Sequence, residues 1–161
     1  MSEQHSEFWQ WALDRWQGAG AARLLELQDK HNVVILELMY VAWLGLLGRA
    51  ISREDLAQLR ACSEAWIDQV VLPLRQVRRA WKTEGKAATL RARLKTLELE
   101  AEHGLANLYA ESLPLTPMTS SKSSADHSLP AFRHNLGLVL ERTGLQTTGE
   151  LYQQLEQHLR G

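Results

Sequence analysis

Apolar positions recur at helical spacing along nearly the whole chain, and no alternating run bounded by turns reads as a strand. Phe8, Trp9, Ala12, Leu13 and Trp16 form a first stripe, with Ser6 placed to cap it and Gly18 and Gly20 to end it. A second, short helix from Ala21 to Lys30 carries Leu24, Leu25 and Leu27. The polar run Gln28-Asp29-Lys30-His31-Asn32 follows and leads straight into the most apolar stretch, residues 33–48, whose single charge is Glu37. Asn32, or Asp29 by folding back, can cap the apolar helix. Ala42, Gly45 and Gly48, spaced by three, leave room for another helix to approach closely.

The later pattern predicts long helices. Ser52-Arg53-Glu54-Asp55 has the form of a capping box and starts a helix with Leu56, Leu59, Trp66, Val70 and Leu74 on one side. Pro73 lies inside that pattern and predicts a kink or break. The stripe resumes from Val77 to Trp81 and Gly85 interrupts it. A helix over residues 86–112 carries Leu90, Leu94, Leu97, Ala101, Leu105 and Leu108, nearly a heptad seam suited to antiparallel packing. LPLTPMTSSKSSADHSLP, with three prolines and five serines, reads as a loose linker. Two short helices follow: Leu129, Phe132, Leu136, Val139 and Leu140 on one, Leu151, Leu155 and Leu159 on the other, the second capped by Thr147 or Thr148.

The expectation is an all-α protein: a bundle of five or six helices over residues 1–112, a Ser/Pro-rich linker over 113–128, and a C-terminal helical hairpin or arm over 129–161. Protease should cut the linker first and leave a folded fragment of residues 1–112.

Composition narrows the function classes. The chain has 161 residues, enough to bury a core without staples. Hydrophobic residues at 45% and charged residues at 23% are ordinary globular values, and the net charge of -1 gives no general attraction to nucleic acid or acidic membrane. One cysteine, Cys62, excludes an internal disulfide and a cysteine zinc cluster and reads as a small core residue. The start of the chain lacks a basic segment followed by an apolar one, so it does not read as a targeting peptide. The apolar stretch 33–48 gives about 24 Å of helix, short of the roughly 30 Å hydrocarbon core, and Glu37 opposes insertion. No membrane span is expected.

Three groups of residues could carry function. From Arg75 to Lys95 eight basic residues face one acidic residue, Glu84, and Arg75, Arg78, Arg79 and Lys82 share a helix face. Such a face can grip phosphates or carboxylates, or it can be a solvated face paired with Glu98, Glu100 and Glu102. Nucleic acid is not favoured, because Trp66 and Trp81 fall in the core stripe rather than beside the arginines. Gln28, Asp29 and His31 could line a site, or cluster at a helix boundary for local reasons. Glu37 should be buried and needs a cation; Arg75, Arg78 or Arg79 is expected to supply it, with Tyr40 or His31 a weaker partner. Glu100 and His103 have an E-x-x-H spacing, but a di-iron bundle needs a second such pair and the chain has none. Glu98 and Glu102 read as a surface charge ladder with Arg91 and Lys95. No nucleophile motif or phosphate-cradling glycine loop occurs, and no cofactor or metal is called for.

As a set, Phe8-Trp9-Gln10-Trp11-Ala12-Leu13, Leu25 to Asn32 (LELQDKHN), Val70 to Arg79 (VVLPLRQVRR) and Leu94 to Glu102 (LKTLELEAE) resemble an uncharacterised proteobacterial family of similar length with a domain of unknown function. The resemblance spans roughly residues 8–112. It implies a cytoplasmic bacterial helical protein and brings no activity, cofactor or catalytic residue.

The sequence therefore points first to a non-catalytic interaction module, an adaptor or regulator with a protein partner. The alternative is a binding protein or enzyme for a small anionic ligand, built from Gln28, Asp29, His31, Glu37, Arg75, Arg78 and Arg79. A deep polar pocket joining these residues would favour the alternative. An exposed apolar patch would favour the first.

Overall fold

The structure is a computed structural model that describes residues 3–17, 20–114, 124–145 and 149–161. Its α-helices are α1 (Glu3–Arg15), α2 (Ala21–His31), α3 (Ile35–Leu46), α4 (Arg53–Trp66), α5 (Leu72–Ala80), α6 (Ala88–Ser112), α7 (Ser124–Leu140) and α8 (Glu150–Arg160). Among the described residues there is no strand, so the protein is all-α. No described helix is long and apolar enough to cross a membrane.

α3 is the centre. Ile35 to Ala42, then Leu44 and Gly45, are all buried. A helix apolar all round must be covered on every side, and α1, α2, α6, α7 and α8 all pack on it. α7 approaches most closely, along the small residues: a Cβ added to Gly45 would lie 2.4 Å from the Cα of Phe132. α3 ends in a Schellman turn. Gly48 takes φ 85°, its N–H donates to the Gly45 carbonyl, and the Arg49 N–H donates to the Leu44 carbonyl, both at 2.9 Å.

The core does not stop at residue 112. Phe132, Leu136, Val139, Leu140, Tyr152, Leu155 and Leu159 belong to the same apolar cluster as Phe8, Leu24, Leu38 and Leu105. Asn135, fully buried, fixes α7 to the α3–α4 connection: its Nδ2 donates to the carbonyls of Val41 (2.9 Å) and Arg49 (2.8 Å), and its Oδ1 accepts from the Ile51 N–H (2.9 Å). Of the expected linker, residues 115–123 lie outside the described residues, and 124–128 form the start of α7.

Several local expectations change. α1 begins at Glu3, ahead of Ser6, so Ser6 does not cap it. Asn32 does not cap α3: it ends α2 in the left-handed region at φ 53°, and the N-cap of α3 is Val34, extended and without a side-chain cap. The Ser52–Asp55 capping box forms in both directions. Pro73 makes no break. The chain stays helical from α4 into α5, and the turn before the proline widens into a π-helical one, Ile67–Val71, the kind of local irregularity at which a helix takes in a proline. Trp11, outside the first stripe, is also buried, against Trp43 at 5.3 Å between ring centroids. Gly18 and the Thr147–Thr148 cap lie outside the described residues.

On α6, Leu94, Ala101 and Leu105 face inward, whereas Leu90 and Leu97 of the expected seam are exposed. Glu98 takes a buried place on that helix instead.

Candidate functional site

A cleft of about 960 Å³ opens where the end of α2 and the start of α3 face α4, the π-helical turn, α5 and α6. Gln28, Asp29, Glu37, Arg75 and Arg79 all line it, so five of the seven residues singled out in the sequence come together. His31 and Arg78 are not among its lining residues. The walls also hold Arg60 and Arg142, which periodicity does not single out, and apolar side chains including Val34, Leu36, Ile67 and Leu105.

Glu37 answers why a carboxylate interrupts the apolar stretch. It sits in the first turn of α3, where a negative charge complements the helix dipole and the N-cap provides no side-chain acceptor. It is buried, and its cation is Arg60 of α4, not an arginine of α5. The Arg60 Nε and Nη2 both approach Oε1, at 3.0 and 2.9 Å. Burial pushes the Glu37 carboxyl up, opposed by the hydrogen bond and charge of Arg60 and by the charge of Arg142. Tyr40, a weaker expected partner, instead donates to the Leu113 carbonyl at 2.6 Å.

The arginines of α5 have other work. Arg75 donates from Nε to Glu98 and from Nη2 to Glu102, both at 3.1 Å, and Arg78 grips the other Glu98 oxygen. Glu98 is therefore no surface ladder residue but the buried centre of an α5–α6 ion-pair network. Burial pushes its carboxyl up, yet Arg78 and Arg75 together hold it below the usual range. Glu102 goes the other way: burial raises it, and the Glu98 charge adds to that against the pull of Arg75. Arg79 pairs with Asp29 across the cleft at 2.7 Å, and both side chains are half exposed.

Two further groups bear on the electrostatics. Arg142, in the 3₁₀ turn after α7, lines the cleft and has no hydrogen bond or ion pair among the described residues. Tyr109 is fully buried, and the Ser63 hydroxyl beside it is turned to the Leu59 carbonyl at 2.8 Å. Burial, and then the Glu37 charge, raise the Tyr109 phenol well above its ordinary range, against the pull of Ser63.

The E-x-x-H residues lie on the outer part of α6. Glu100 is exposed and His103 stacks on Trp9 with ring centroids 4.5 Å apart. No group of three or more His, Cys, Asp or Glu residues that could hold a metal ion occurs among the described residues. Cys62 is half-buried, with its thiol on the Leu59 carbonyl.

Fold and cleft define an all-α protein with a mixed-charge, partly apolar cleft beside its central helix. Residues 7–108 match the family described as "Protein of unknown function (DUF2390)", and the chain belongs to that family. No curated protein and no solved structure matches the chain. The matched span holds every sequence-predicted site residue, whereas α7, α8 and Arg142 lie beyond it.

Proposed function

We propose that the protein is a binding protein whose cleft takes a small ligand carrying an anionic group. The observation that carries this reading is the cleft itself: it gathers Gln28, Asp29, Glu37, Arg75 and Arg79 beside Arg142, a guanidinium with no hydrogen bond or ion pair among the described residues. Its volume lies within the range of small-molecule sites, and its walls mix apolar side chains with charges of both signs, Glu64, Asp68 and Glu102 lining it as well as the arginines. The arginines differ in availability. Arg75 is committed to Glu98 and Glu102, and Arg60 to Glu37. Arg142 makes no hydrogen bond or ion pair among the described residues, although its charge acts on Glu37, and Arg79 is held by a half-exposed pair with Asp29 that an incoming anion can displace.

The test is a calorimetric titration of the full chain with inorganic phosphate, sulfate and short-chain carboxylates, at low and raised salt. Binding that weakens with salt and is lost in Arg142→Gln supports the reading. Absence of binding to every one of these anions, or binding unchanged in Arg142→Gln, overturns it.

A second reading, an interaction module with a protein partner, is favoured by a different feature: the exposed leucines of α6, Leu90 and Leu97.

A further inference from the structure

Leu90 and Leu97 are 53% and 50% exposed. They lie seven residues apart and so fall on one line along α6. Arg93 and Glu100 share that face and are also exposed. Arg93 precedes Leu97 by four residues and Glu100 follows it by three. Neither makes a hydrogen bond or ion pair among the described residues. The neighbouring strip of the helix, Leu94, Glu98 and Ala101, turns inward.

We infer that this face is a self-association surface and that its occupant is a second copy of the chain, packed α6 against α6 in antiparallel sense about a twofold axis beside Leu97. Charge complementarity decides the occupant. With the axis at Leu97, a residue about four before it meets one about three after it on the other helix. Arg93 then faces Glu100 of the partner subunit, and the symmetry makes the pair twice. A parallel arrangement sets Arg93 against Arg93 of the partner subunit, which repels. The face carries one positive and one negative charge, so it has no preference for an acidic or a basic partner; it complements itself. Leu97 packs on its symmetry mate. Leu90 lies opposite the position of Gly104, where the half-buried Trp66 indole offers it an apolar surface. The patch is small, so the dimer belongs to the weak class, with dissociation in the micromolar range.

None of Leu90, Arg93, Leu97 and Glu100 is among the residues that line the cleft, and the test of the surface does not depend on any ligand. Sedimentation equilibrium of the full chain over a concentration series spanning the micromolar range should show monomer and dimer in exchange. Leu97→Glu should abolish the dimer while leaving helical content and melting temperature unchanged. Arg93→Glu and Glu100→Lys should each weaken it by about tenfold or more, since each sets like charges opposite one another. Mixing these two single variants should restore it as a heterodimer. The glutamate introduced at position 93 of one subunit then meets the lysine introduced at position 100 of the other, and the two unaltered positions form the native pair. A wild-type chain that stays monomeric throughout, a dimer that survives Leu97→Glu, or two variants that fail to pair when mixed would overturn the inference. Capture of a different protein by the same face would do so as well if Leu97→Glu broke that complex and the wild type never dimerised.

Discussion

Glu37 and Arg60 meet in the wall of the cleft with both Nε and Nη2 of the arginine on one carboxylate oxygen, Oε1. The carboxylate is buried, whereas the Arg60 side chain keeps 28% of its exposure. Glu37→Ala leaves the guanidinium without its acceptor, and partial solvent access softens the loss. The expected cost is about 2–4 kcal/mol, toward the lower end for a broken buried pair. Replacing both residues together, Glu37→Leu with Arg60→Met, is expected to be nearly neutral. Urea unfolding of the three proteins checks both values, and an unchanged midpoint for Glu37→Ala would refute the role given to the pair.

The network around Glu98 predicts a pH dependence. Its carboxyl is held below the ordinary value of 4.5 in the folded state by Arg78 and Arg75. Between that lowered value and 4.5 the unfolded chain binds the proton more readily than the folded one. The stabilisation is therefore complete above 4.5 and is lost as pH falls through the folded value. Glu98→Gln should destabilise the protein at neutral pH by about 3 kcal/mol, because it leaves Arg75 and Arg78 without a counter-charge. It should also remove this part of the acid dependence. Glu37 and Glu102, both raised by burial, act in the opposite sense: their contribution is complete below 4.5 and weakens as pH rises through their folded values. Melting temperature followed from acid to neutral pH in wild type and Glu98→Gln separates the two effects.

Gly45 is where α7 crosses α3. An added methyl would meet the Cα of Phe132 at 2.4 Å and its N at 2.7 Å, both backbone atoms that no rotamer change can move. Gly45→Ala should cost about 1–3 kcal/mol or more, since overpacking displaces the helix, even though alanine is the better helix former. Gly85 makes an internal control, because nothing lies within 4 Å of an added Cβ there and its φ is not in the left-handed region. Thermal melts of the two alanine variants should differ in this direction.

Helix identity is legible in the sequence because it rests on periodicity, and α3 is legible as central because sixteen nearly uncharged residues have to be covered. The coverage is not. Residues 113–128 read as a separator by composition, so residues 129–161 read as a hairpin or arm with its docking left open, although Leu136 and Leu140 have the spacing of a core helix. Ala42, Gly45 and Gly48 signal that something approaches α3, and they do not say which helix. Ion pairing is hidden for a similar reason. Spacing shows which arginines share a face, not which face meets Glu37; Arg60 lies next to the Leu56–Leu59 stripe and four residues before Glu64, a position that periodicity alone assigns to the surface. Glu98 is masked by its neighbours, since an acidic run after Arg91 and Lys95 looks solvated until a second helix brings two arginines to it.

The chain ending at Ser112 is therefore expected not to fold. Phe132, Leu136, Val139, Leu140, Tyr152, Leu155 and Leu159 are all buried, and each contributes about 1.5–3 kcal/mol by burial. Their sum is comparable with or larger than the roughly 5–15 kcal/mol net stability of a typical domain. Circular dichroism and proton NMR of residues 1–112 should show lost tertiary packing. A cooperative melt of that fragment would show that α3 can be covered without α7.

The Asp29–Arg79 pair gives the sharpest test of how the cleft is used. Asp29 lies near the end of α2 and Arg79 near the end of α5, and their 2.7 Å contact spans the cleft. Both side chains are 53% exposed, so the pair adds roughly 0–1 kcal/mol to stability. Its effect on an anionic ligand should be larger, because Asp29 both occupies Arg79 and presents a like charge to the ligand. Asp29→Asn removes the charge and keeps the size. The variant should melt at nearly the wild-type temperature and bind inorganic phosphate more tightly, by about 1.4 kcal/mol or tenfold if Arg79 becomes fully available. Arg79→Gln should weaken binding whether or not Asp29 is changed. Parallel calorimetric titrations of wild type, Asp29→Asn, Arg79→Gln and the double variant check this. If Asp29→Asn weakens phosphate binding instead, the carboxylate is part of the recognition and the ligand must bring a donor to it.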